Sequence, residues 1–417
     1  MEHDFKPESL MMTHGYKPEL SEGAIKCPIF QTSTFVFKTA EEGKSFFELA
    51  YGLREKEIGE EIGLIYSRIN NPNLEILENR LALWDDAEDA AVFESGMSAI
   101  STVLLEFLKP GDLVVYSSPT YGGTDHFIQH FLPTIGVSFA FFHPDNTKEE
   151  IIEIIEATGK ADSLQMIYIE TPANPTNSLV DISLCREIAD HFATEEKPTY
   201  LCVDNTYMGP VWCAPLKLGA DLVVYSATKF IGGHSDLIAG AVMSKGGLMT
   251  RIKVLRTFLG NMVSPHTAWL MLRSLETLKI RMERQAQNAS EVAAFLENHP
   301  AVEKVYYLGL IPENSKAYAI YKKQYNSPGA MISFDIKGGE KEAFQFLNKL
   351  KLIKLAVSLG STESLAQHPA TMTHCALEPE QKKRMGVTEK LVRISIGVED
   401  AKDIIWDMEQ ALANLIS

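Results

Sequence analysis

The sequence predicts an α/β protein whose mostly parallel sheet is covered by helices on both faces and is followed by a smaller C-terminal α+β domain. Short apolar runs alternate with helical patterns from about residue 74 to residue 243. These runs are apolar throughout, as expected for strands that are buried on both faces of a sheet. After about residue 300 the regular alternation ends, which indicates a second domain.

The first 70 residues lack a sustained periodic pattern, and we expect residues 1–70 to form an N-terminal arm. Within this arm, the charged and glycine-punctuated stretch from Tyr51 to Gly63 predicts a solvated loop or a short exposed helix. The first helix of the core follows the arm, because Leu74, Leu77 and Leu81 recur at helical spacing.

The predicted large domain, residues 71–265, contains a series of buried strands and helices. Its apolar runs predict strands at Asp112–Tyr116, Val137–Phe142, Leu164–Ile169, Tyr200–Val203, Leu222–Tyr225 and Ile238–Met243. Helical patterns lie between several of them, as at Lys148–Ala157 and Ser183–Phe192. A helix between two strands returns the chain across one face of the sheet, so consecutive strands of this kind run parallel.

The predicted small domain covers residues 266–417. A long helix begins at Ser264 and Pro265, where proline suits the first helical turn, and is expected to run to about Asn298. Beyond it the patterns predict strands at 302–307, 330–336 and 391–396, and helices at 341–350 and 400–415.

Composition excludes several classes of protein. The chain has 417 residues, of which 45% are hydrophobic and 23% charged, so it is neither disordered nor collagen-like. A formal net charge of −16 argues against nucleic acid or an anionic membrane surface as a partner. The sequence shows no membrane-spanning run and no signal-peptide pattern, and the five scattered cysteines fit a reducing compartment. We therefore expect a cytoplasmic protein.

The segment that says most about function runs from Asp221 to Asp236, DLVVYSATKFIGGHSD. Lys229 directly follows a buried strand, with the hydroxyls of Ser226 and Thr228 beside it and two glycines after it. Ligands of open α/β sheets bind beyond the carboxyl ends of the strands, where a desolvated lysine loses its proton more easily. An amine that can form a Schiff base, with hydroxyls for a phosphate, suggests pyridoxal phosphate (PLP). A surface lysine at a strand end explains this segment alone equally well.

Asp204 in YLCVDNT ends another buried strand, 25 residues before Lys229. A carboxylate at such a position is costly unless a cation meets it. The protonated pyridine nitrogen of PLP would serve, because the protonated ring is the electron sink of the cofactor. An aspartate that caps the next turn is the alternative explanation.

Two glycine-containing segments are weaker signals of the same site. In ESGMSA, a short strand leads into a helix, whose first amides at Gly96 and Met97 are suited to bind phosphate. In SPTYGGT, Tyr121 precedes two glycines, so its ring could stack on a flat ligand; a packed tyrosine in a turn is the alternative.

Other chemistries find less support. The run from Ser226 to Lys229 matches the S-x-x-K pattern of serine acyltransferases, but the SDN and KTG elements are missing. His126 and His130 lie four residues apart without the glutamate of HExxH, so we expect no metal site. The sequence also has neither GxGxxG nor a P-loop.

Taken together, these segments resemble the Cys/Met-metabolism PLP enzymes, which include cystathionine γ-lyase, methionine γ-lyase and cystathionine γ-synthase. The similarity runs from about Thr32 to the C-terminus. Its segments are QTSTFVF, YSRINNPN, ESGMSAI, YGGT, ETPANPTN, VDNTY, GADLVVYSATKFIGGHSD, SLGSTESLAQHPATMTH and VRISIGVED. The resemblance implies a type I PLP-dependent transferase fold, in which the large domain holds a seven-stranded, mostly parallel sheet.

The resemblance also implies roles for residues. Lys229 would be the Schiff-base lysine and proton shuttle, Asp204 would pair with the pyridine nitrogen, and Tyr121 would stack on the ring. Asn174 would contact the phenolic oxygen of the cofactor. Arg393 would bind the substrate α-carboxylate as a bidentate fork.

Further implied roles concern the phosphate, the substrate and the subunit interface. Ser358 would line the substrate end of the site. Tyr66 and Arg68 of YSR would reach the phosphate from the neighbouring subunit, which requires at least a dimer and, in this family, usually a homotetramer. The phosphate ligands within one subunit would be Gly96, Met97, Ser226 and Thr228.

The implied activity is γ-elimination from cystathionine- or methionine-type amino acids, which releases 2-oxobutanoate, ammonia and a thiol. The alternative is a cystathionine γ-synthase, which replaces the acyl group of O-acylhomoserine with cysteine. Gly123 stands where methionine γ-lyases carry cysteine, and Arg256-Thr257 where they carry Lys-Asp. Val357 stands where cystathionine γ-lyases often carry glutamate, and His126 where they often carry arginine. The lyase is favoured, and the preferred sulfur amino acid stays open.

Overall fold

The computed structural model describes residues 5–55, 57, 60, 63–375 and 378–415. The strands of the larger sheet are β1 (Asp89–Phe93), β2 (Leu113–Ser117), β3 (Ser138–Phe142), β4 (Leu164–Glu170), β5 (Tyr200–Asp204), β6 (Leu222–Tyr225) and β7 (Gly240–Ser244). Those of the smaller sheet are β8 (Val302–Tyr306), β9 (Met331–Ile336), β10 (Lys354–Leu355), β11 (Leu365–Gln367) and β12 (Leu391–Ser395).

The α-helices are α1 (Pro7–Leu10), α2 (Ala40–Ala50), α3 (Pro72–Asp85), α4 (Gly96–Phe107), α5 (Gly122–His126), α6 (Lys148–Ala157), α7 (Ile182–Phe192), α8 (Gly209–Trp212), α9 (Leu248–Leu259), α10 (Pro265–Leu275), α11 (Leu278–Glu297), α12 (Lys316–Gln324), α13 (Glu340–Lys349), α14 (Pro379–Arg384) and α15 (Ala401–Leu412). In the described part of the chain, no helix is long and apolar enough to cross a membrane.

The larger sheet has seven strands in the order β1-β7-β6-β5-β4-β2-β3. From β6 to β3, neighbouring strands are parallel, whereas β7 runs antiparallel to β1 and β6. The predicted mostly parallel α/β sheet is confirmed, and the six predicted strands begin and end within two residues of the observed ones.

Strand β2 shows why these strands are apolar throughout. Leu113 and Val115 belong to the hydrophobic cluster on one face of the sheet. The residues that alternate with them, Val114 and Tyr116, belong to a separate cluster on the other face. Because successive side chains of a strand point to opposite faces, burial on both faces requires apolar residues at every position.

The smaller sheet has five strands in the order β10-β11-β12-β9-β8. All of its pairs are antiparallel except that of β10 with β11. The predicted smaller α+β part is therefore confirmed as a fold class. The expected domain boundary at residues 265 and 266 stays a prediction.

The single long helix expected over 264–298 is wrong. The structure has two helices, α10 and α11, which are separated at Glu276 and Thr277. Thr277 has φ −116° and ψ 6°, outside the helical region. The Ser274 carbonyl accepts a hydrogen bond of 3.1 Å from the buried Arg281 guanidinium, which competes with the helical ladder at this point.

The charged stretch after α2 is described only in part. Residues 51–55 form turns, and the Arg54 guanidinium donates to the Glu60 carboxylate at 2.6 Å. Residues 56, 58, 59, 61 and 62 lie outside the described residues, so the prediction of a loop or a short exposed helix is not tested there.

Candidate active site

The parallel strands bring the predicted residues to one edge of the larger sheet. Strands β4, β5 and β6 pair in register, so that Glu170 lies opposite Asp204 and Asp204 opposite Val224. Lys229 follows β6 after a turn in which its amide donates to the Ser226 carbonyl at 3.1 Å. Since all three strands end here, carboxyl groups and the lysine amine share one crevice.

The Lys229 side chain points toward the small domain. Its Nζ lies 2.9 Å from the Ser358 hydroxyl oxygen. Burial lowers the pKa of Lys229 to about 8, and the nearby Arg393 charge contributes in the same direction. A larger fraction of this amine is therefore neutral near pH 7 than in an exposed lysine, as a nucleophilic or basic amine requires.

Asp204 is a buried carboxyl group without a cationic partner. It accepts hydrogen bonds from the Tyr168 hydroxyl at 3.2 Å and from the Thr206 amide at 3.0 Å. No ion pair joins it to any of the residues described. Burial raises the pKa of Asp204 above its usual value, and no nearby cation among the described residues offsets this effect. A pyridinium nitrogen is a cation of the right kind to compensate this charge.

The start of α4 forms a cradle suited to an anion. Ser95 caps the helix, and the amides of its first turn lack acceptors within the helix. A Cβ on Gly96 would lie 2.7 Å from the Ser226 Cβ, so only glycine allows these two segments to approach. The Thr228 hydroxyl instead bonds to the backbone of Ala239, at 3.0 Å to its amide and 3.2 Å to its carbonyl. The Thr228 hydroxyl can therefore donate to a phosphate only if its hydrogen bond to the Ala239 carbonyl is broken.

Tyr121 lies next to this cradle with about half of its surface exposed (51%). Its ring passes close to Gly123, because a Cβ there would lie 2.6 Å from the Tyr121 Cε1 and 3.0 Å from the Met97 sulfur. The structure thus brings Tyr121 and Met97 together, and an exposed aromatic face beside the anion cradle can stack on a bound ring.

Arg393 is a buried guanidinium that also lacks an anionic partner. It donates to the Asn174 side-chain oxygen at 3.0 Å and to the Ser358 carbonyl at 2.6 Å. Its Nε has no hydrogen-bond partner among the described residues. Burial lowers the pKa of Arg393. A buried guanidinium held by neutral oxygens, with an unpaired donor, is a receptor for a carboxylate.

Ser358 connects the lysine to the arginine through a strained backbone. Its φ of 108° lies where a residue with a side chain is rarely found. In this conformation the hydroxyl meets Lys229 while the carbonyl meets Arg393. Such strain persists where the surroundings impose it and is concentrated at functional sites.

The structure does not bring Tyr66 and Arg68 to the lysine of their own chain. The Arg68 guanidinium donates to the carbonyl of Thr257 in α9 at 2.8 Å and lies 5.7 Å above the Tyr66 ring. Tyr66 itself is 41% exposed. Both residues are exposed, so each can face another molecule, although Arg68 is also bonded to α9.

The sequence analysis missed Glu170, which ends β4 as Asp204 ends β5. The signal was present, because Glu170 stands at a strand end within the quoted segment ETPANPTN. His374 was also missed; it is buried near Arg393, and burial lowers its pKa to about 4. The residues described contain no group of three or more His, Cys, Asp and Glu that could hold a metal ion.

Comparison with known proteins decides among the families that could share this geometry. Residues 8–413 match the Cys/Met metabolism PLP-dependent enzyme family. The chain belongs to this family. It is 42% identical over 395 residues to L-methionine gamma-lyase of Fusobacterium nucleatum, with 94% of each chain covered. It is 37% identical over 411 residues to cystathionine gamma-lyase of Bacillus subtilis, covering 98% of this chain and all of the relative.

A solved structure of the same family has the same fold. The crystal structure of metB from Corynebacterium glutamicum matches with a TM-score of 0.84 and 35% identity, over 99% of this chain and all of that one. The family, the type I fold, the PLP cofactor and the class of carbon–sulfur lyase, all expected from the sequence, are thereby confirmed.

The residues present fit PLP on the structure's own evidence. Asp204 lacks a cationic partner, the first amides of α4 lack acceptors within the helix, and Lys229 has a lowered pKa. A phosphorylated pyridine aldehyde offers a cation to the carboxyl group, a phosphate to the amides and an aldehyde to the amine.

Proposed function

We propose that this enzyme catalyses γ-elimination from cystathionine- and methionine-type amino acids. Water is consumed, and the products are 2-oxobutanoate, ammonia and the thiol that formed the γ-substituent. The observation that carries the proposal is the position of Ser358, which contacts Lys229 through its hydroxyl and Arg393 through its carbonyl. The proton-transferring amine and the carboxylate receptor are thus held by a single residue, at a fixed separation.

Arg393 binds the substrate α-carboxylate in this proposal. Its guanidinium keeps its hydrogen bonds to Asn174 and Ser358, which orient it. Its remaining N–H groups donate to the substrate carboxylate. Because the group is buried, its charge is weakly screened, and a carboxylate is bound strongly there. The side-chain nitrogen of Asn174, Nδ2, stays available for the phenolic oxygen of the cofactor.

When bound, PLP supplies an electron sink that stabilises negative charge at the substrate Cα and Cβ. Asp204 would keep the pyridine nitrogen protonated, and Tyr121 would cover one face of the ring. The amides of Gly96 and Met97 and the hydroxyl of Ser226 would hold the phosphate.

Lys229 then acts as the proton carrier. Its neutral amine would remove the substrate Cα proton and later a Cβ proton, after which the γ-substituent would depart with its bonding electrons. Ser358 keeps the amine within reach of these atoms through the 2.9 Å contact. Positioned proton transfer of this kind contributes roughly 10²- to 10⁴-fold to a rate.

Gly123 and Val357 support a broad substrate range. A side chain at position 123 would collide with the Tyr121 ring, so glycine fits there. Val357 is an apolar residue with 56% of its surface exposed. A site without a charged distal group separates related sulfur amino acids by only about 1–3 kcal/mol per methylene. The test is 2-oxobutanoate release from methionine, homocysteine and cystathionine without added thiol. Rapid cystathionine formation from O-acylhomoserine and cysteine, with little 2-oxobutanoate, would establish the γ-synthase instead.

Val357→Glu should shift the preference toward cystathionine. The new carboxylate can pair with the distal ammonium of cystathionine, which methionine lacks. An exposed pair is worth at most about 1 kcal/mol, so the ratio of kcat/KM for cystathionine to that for methionine should rise up to about fivefold. Leu355→Glu, at a nearby exposed apolar residue, is the matched control and should leave the ratio unchanged. An equal shift in both variants would mean that Val357 does not face the substrate.

We also propose that two subunits form a dimer in which each subunit contributes residues to the active site of the other. Two of these dimers would form a homotetramer. Tyr66 and Arg68 would contact the phosphate bound in the neighbouring subunit. The support is their exposure and their distance in sequence from the crevice residues, together with the exposed apolar side chains of Val254 and Phe258 beside them on α9.

Mixing inactive Arg68→Ala with inactive Lys229→Ala subunits should restore part of the activity. Each hybrid dimer then contains one site with an intact lysine from one chain and an intact Arg68 from the other. Lys229→Ala mixed with Asp204→Asn is the control, because both residues serve the same chain's site and no intact site can form. If verified subunit exchange gives equal activity in the two mixtures, the sharing is disproved.

We propose a cytoplasmic location on the basis of the cysteines. All five are free thiols, four of them buried and Cys375 exposed. An exposed free thiol persists most readily in a reducing compartment.

A further inference from the structure

Glu170 is a buried carboxyl group that contacts several active-site segments at once. One of its oxygens accepts a hydrogen bond from the Tyr121 amide at 2.6 Å and another from the Thr120 hydroxyl at 3.1 Å. The other oxygen accepts from the Asn174 amide at 3.2 Å. Only 5% of the residue is exposed, so these bonds form away from water. None of the roles assigned above uses Glu170.

The three donors lie on two loops: Thr120 and Tyr121 stand between β2 and α5, and Asn174 stands between β4 and α7. Tyr121 carries the ring that covers the cofactor, and Asn174 orients Arg393 through a bond of 3.0 Å. Glu170 is fixed between them because β4 is a central strand, paired with β2 on one side and β5 on the other. It therefore joins two loops to a central strand of the larger sheet.

Electrostatics make this position unusual for a purely structural group. Burial and the neighbouring charge of Asp204 raise the pKa of Glu170 to about 8, whereas its three donors act in the opposite direction. A glutamine would fill the same space without a charge, but its amide nitrogen would face a donor. Only an ionised carboxylate offers acceptors on both sides, and the three donors favour this form over the protonated one.

We propose that Glu170 is a positioning residue of the active site. It sets the height of the Tyr121 ring over the cofactor and, through Asn174, the direction of the Arg393 guanidinium. This role concerns the PLP site itself and rests on the proposed function only for the identity of the substrate. A loss of Glu170 would therefore disturb cofactor geometry even with no substrate present.

The experiment compares purified holoenzymes of Glu170→Gln and Glu170→Asp with the parent. The readouts are the visible circular dichroism of bound PLP, the PLP dissociation constant after reconstitution, and kcat and KM for 2-oxobutanoate release. For Glu170→Gln we expect a weakened dichroic band, a PLP dissociation constant raised about tenfold and kcat/KM lowered roughly 10- to 100-fold, the range for losing a hydrogen bond to a charged group. Glu170→Asp should show smaller changes in the dichroic band, the PLP dissociation constant and kcat/KM, since both acceptor oxygens remain.

Glu399→Gln is the matched control. Glu399 also accepts one backbone amide at 2.6 Å and one hydroxyl at 2.9 Å, both from Ser364 in the small domain. Its substitution should leave the dichroic band and the kinetic constants unchanged. Thr120→Val removes a single donor from Glu170 and should give a change of about threefold in kcat/KM, with the dichroic band altered in parallel.

The outcomes separate a positioning residue from a merely structural one. Folded Glu170→Gln protein with the parent's dichroic band and kcat/KM would overturn the proposal, as would lower thermal stability with an unchanged band. If Glu170→Gln does not fold, the Glu170→Asp and Thr120→Val variants decide in the same way. A wrong substrate assignment would leave the dichroism and PLP affinity effects intact, so its failure is distinguishable from failure of this proposal.

Discussion

Lys229→Ala should abolish turnover and the covalent attachment of the cofactor. Borohydride treatment of the parent enzyme should fix PLP on Lys229, and mass spectrometry of peptides should find no fixed cofactor in the variant. Because we propose that the same amine binds the cofactor and carries the proton, we expect activity to fall by at least about 10³-fold. Burial of the amine, which lowers the pKa of Lys229 to about 8, is the reason why we expect this lysine to react.

Lys229→Arg is the matched variant for this prediction. It keeps a cation near Ser358 but cannot form an imine or accept a proton near neutral pH, so it should be as inactive as the alanine variant. Lys402→Ala, at an exposed position of α15, should label and turn over like the parent. Fixation of PLP on any other lysine of the parent would show that the assignment is wrong.

Asp204→Asn should keep the fold and lower kcat by roughly 10²- to 10³-fold, the usual cost of removing an electrostatic group from a buried site. The asparagine oxygen can still accept from the Thr206 amide, and its Nδ2 can donate to the Tyr168 hydroxyl oxygen, but the neutral side chain no longer holds the pyridine nitrogen protonated. In the protein without PLP, the same change should raise the thermal midpoint, because a buried carboxyl group with a raised pKa destabilises the folded state above its unfolded pKa.

Asp335→Asn controls for the loss of a buried aspartate. Asp335 is as buried as Asp204, at 4% exposure, and accepts hydrogen bonds from the hydroxyls of Tyr306 and Thr388 in the small domain. We expect its kcat to match that of the parent. Stopped-flow absorbance should then assign the defect of Asp204→Asn to removal of the Cα proton, and a kcat near that of the parent would rule out the electron-sink role.

Most of the fold could be predicted because its signals are local. The buried strands are apolar on both faces, and α6 has the bounds predicted from its helical pattern, Lys148–Ala157. The long helix was predicted wrongly for a non-local reason. The break at Thr277 depends on Arg281. The buried guanidinium of Arg281 donates to the carbonyls of Phe230 and Ile231, which are far from it in sequence.

The candidate site divides in the same way. Lys229 and Asp204 could be predicted as site residues because Lys229 comes shortly after a buried strand and Asp204 ends another, and strand ends in a parallel sheet point to one crevice. Glu170 follows a strand as well, yet its importance depends on donors from two separate loops, which no spacing in the sequence encodes. The bond of Thr228 to Ala239 was likewise invisible before the chain was folded.

The sequence by itself determined the class of fold, the family and the cofactor, because these depend on strand patterns and on residue types at strand ends. Tertiary structure alone decided which groups are unpaired. Asp204 without a cation and Arg393 without an anion are meaningful only once burial is known, since an exposed charge is compensated by water. The strained backbone of Ser358, which contacts both Lys229 and Arg393, was also decided by tertiary structure. Its φ of 108° is imposed by packing and not by the residue type.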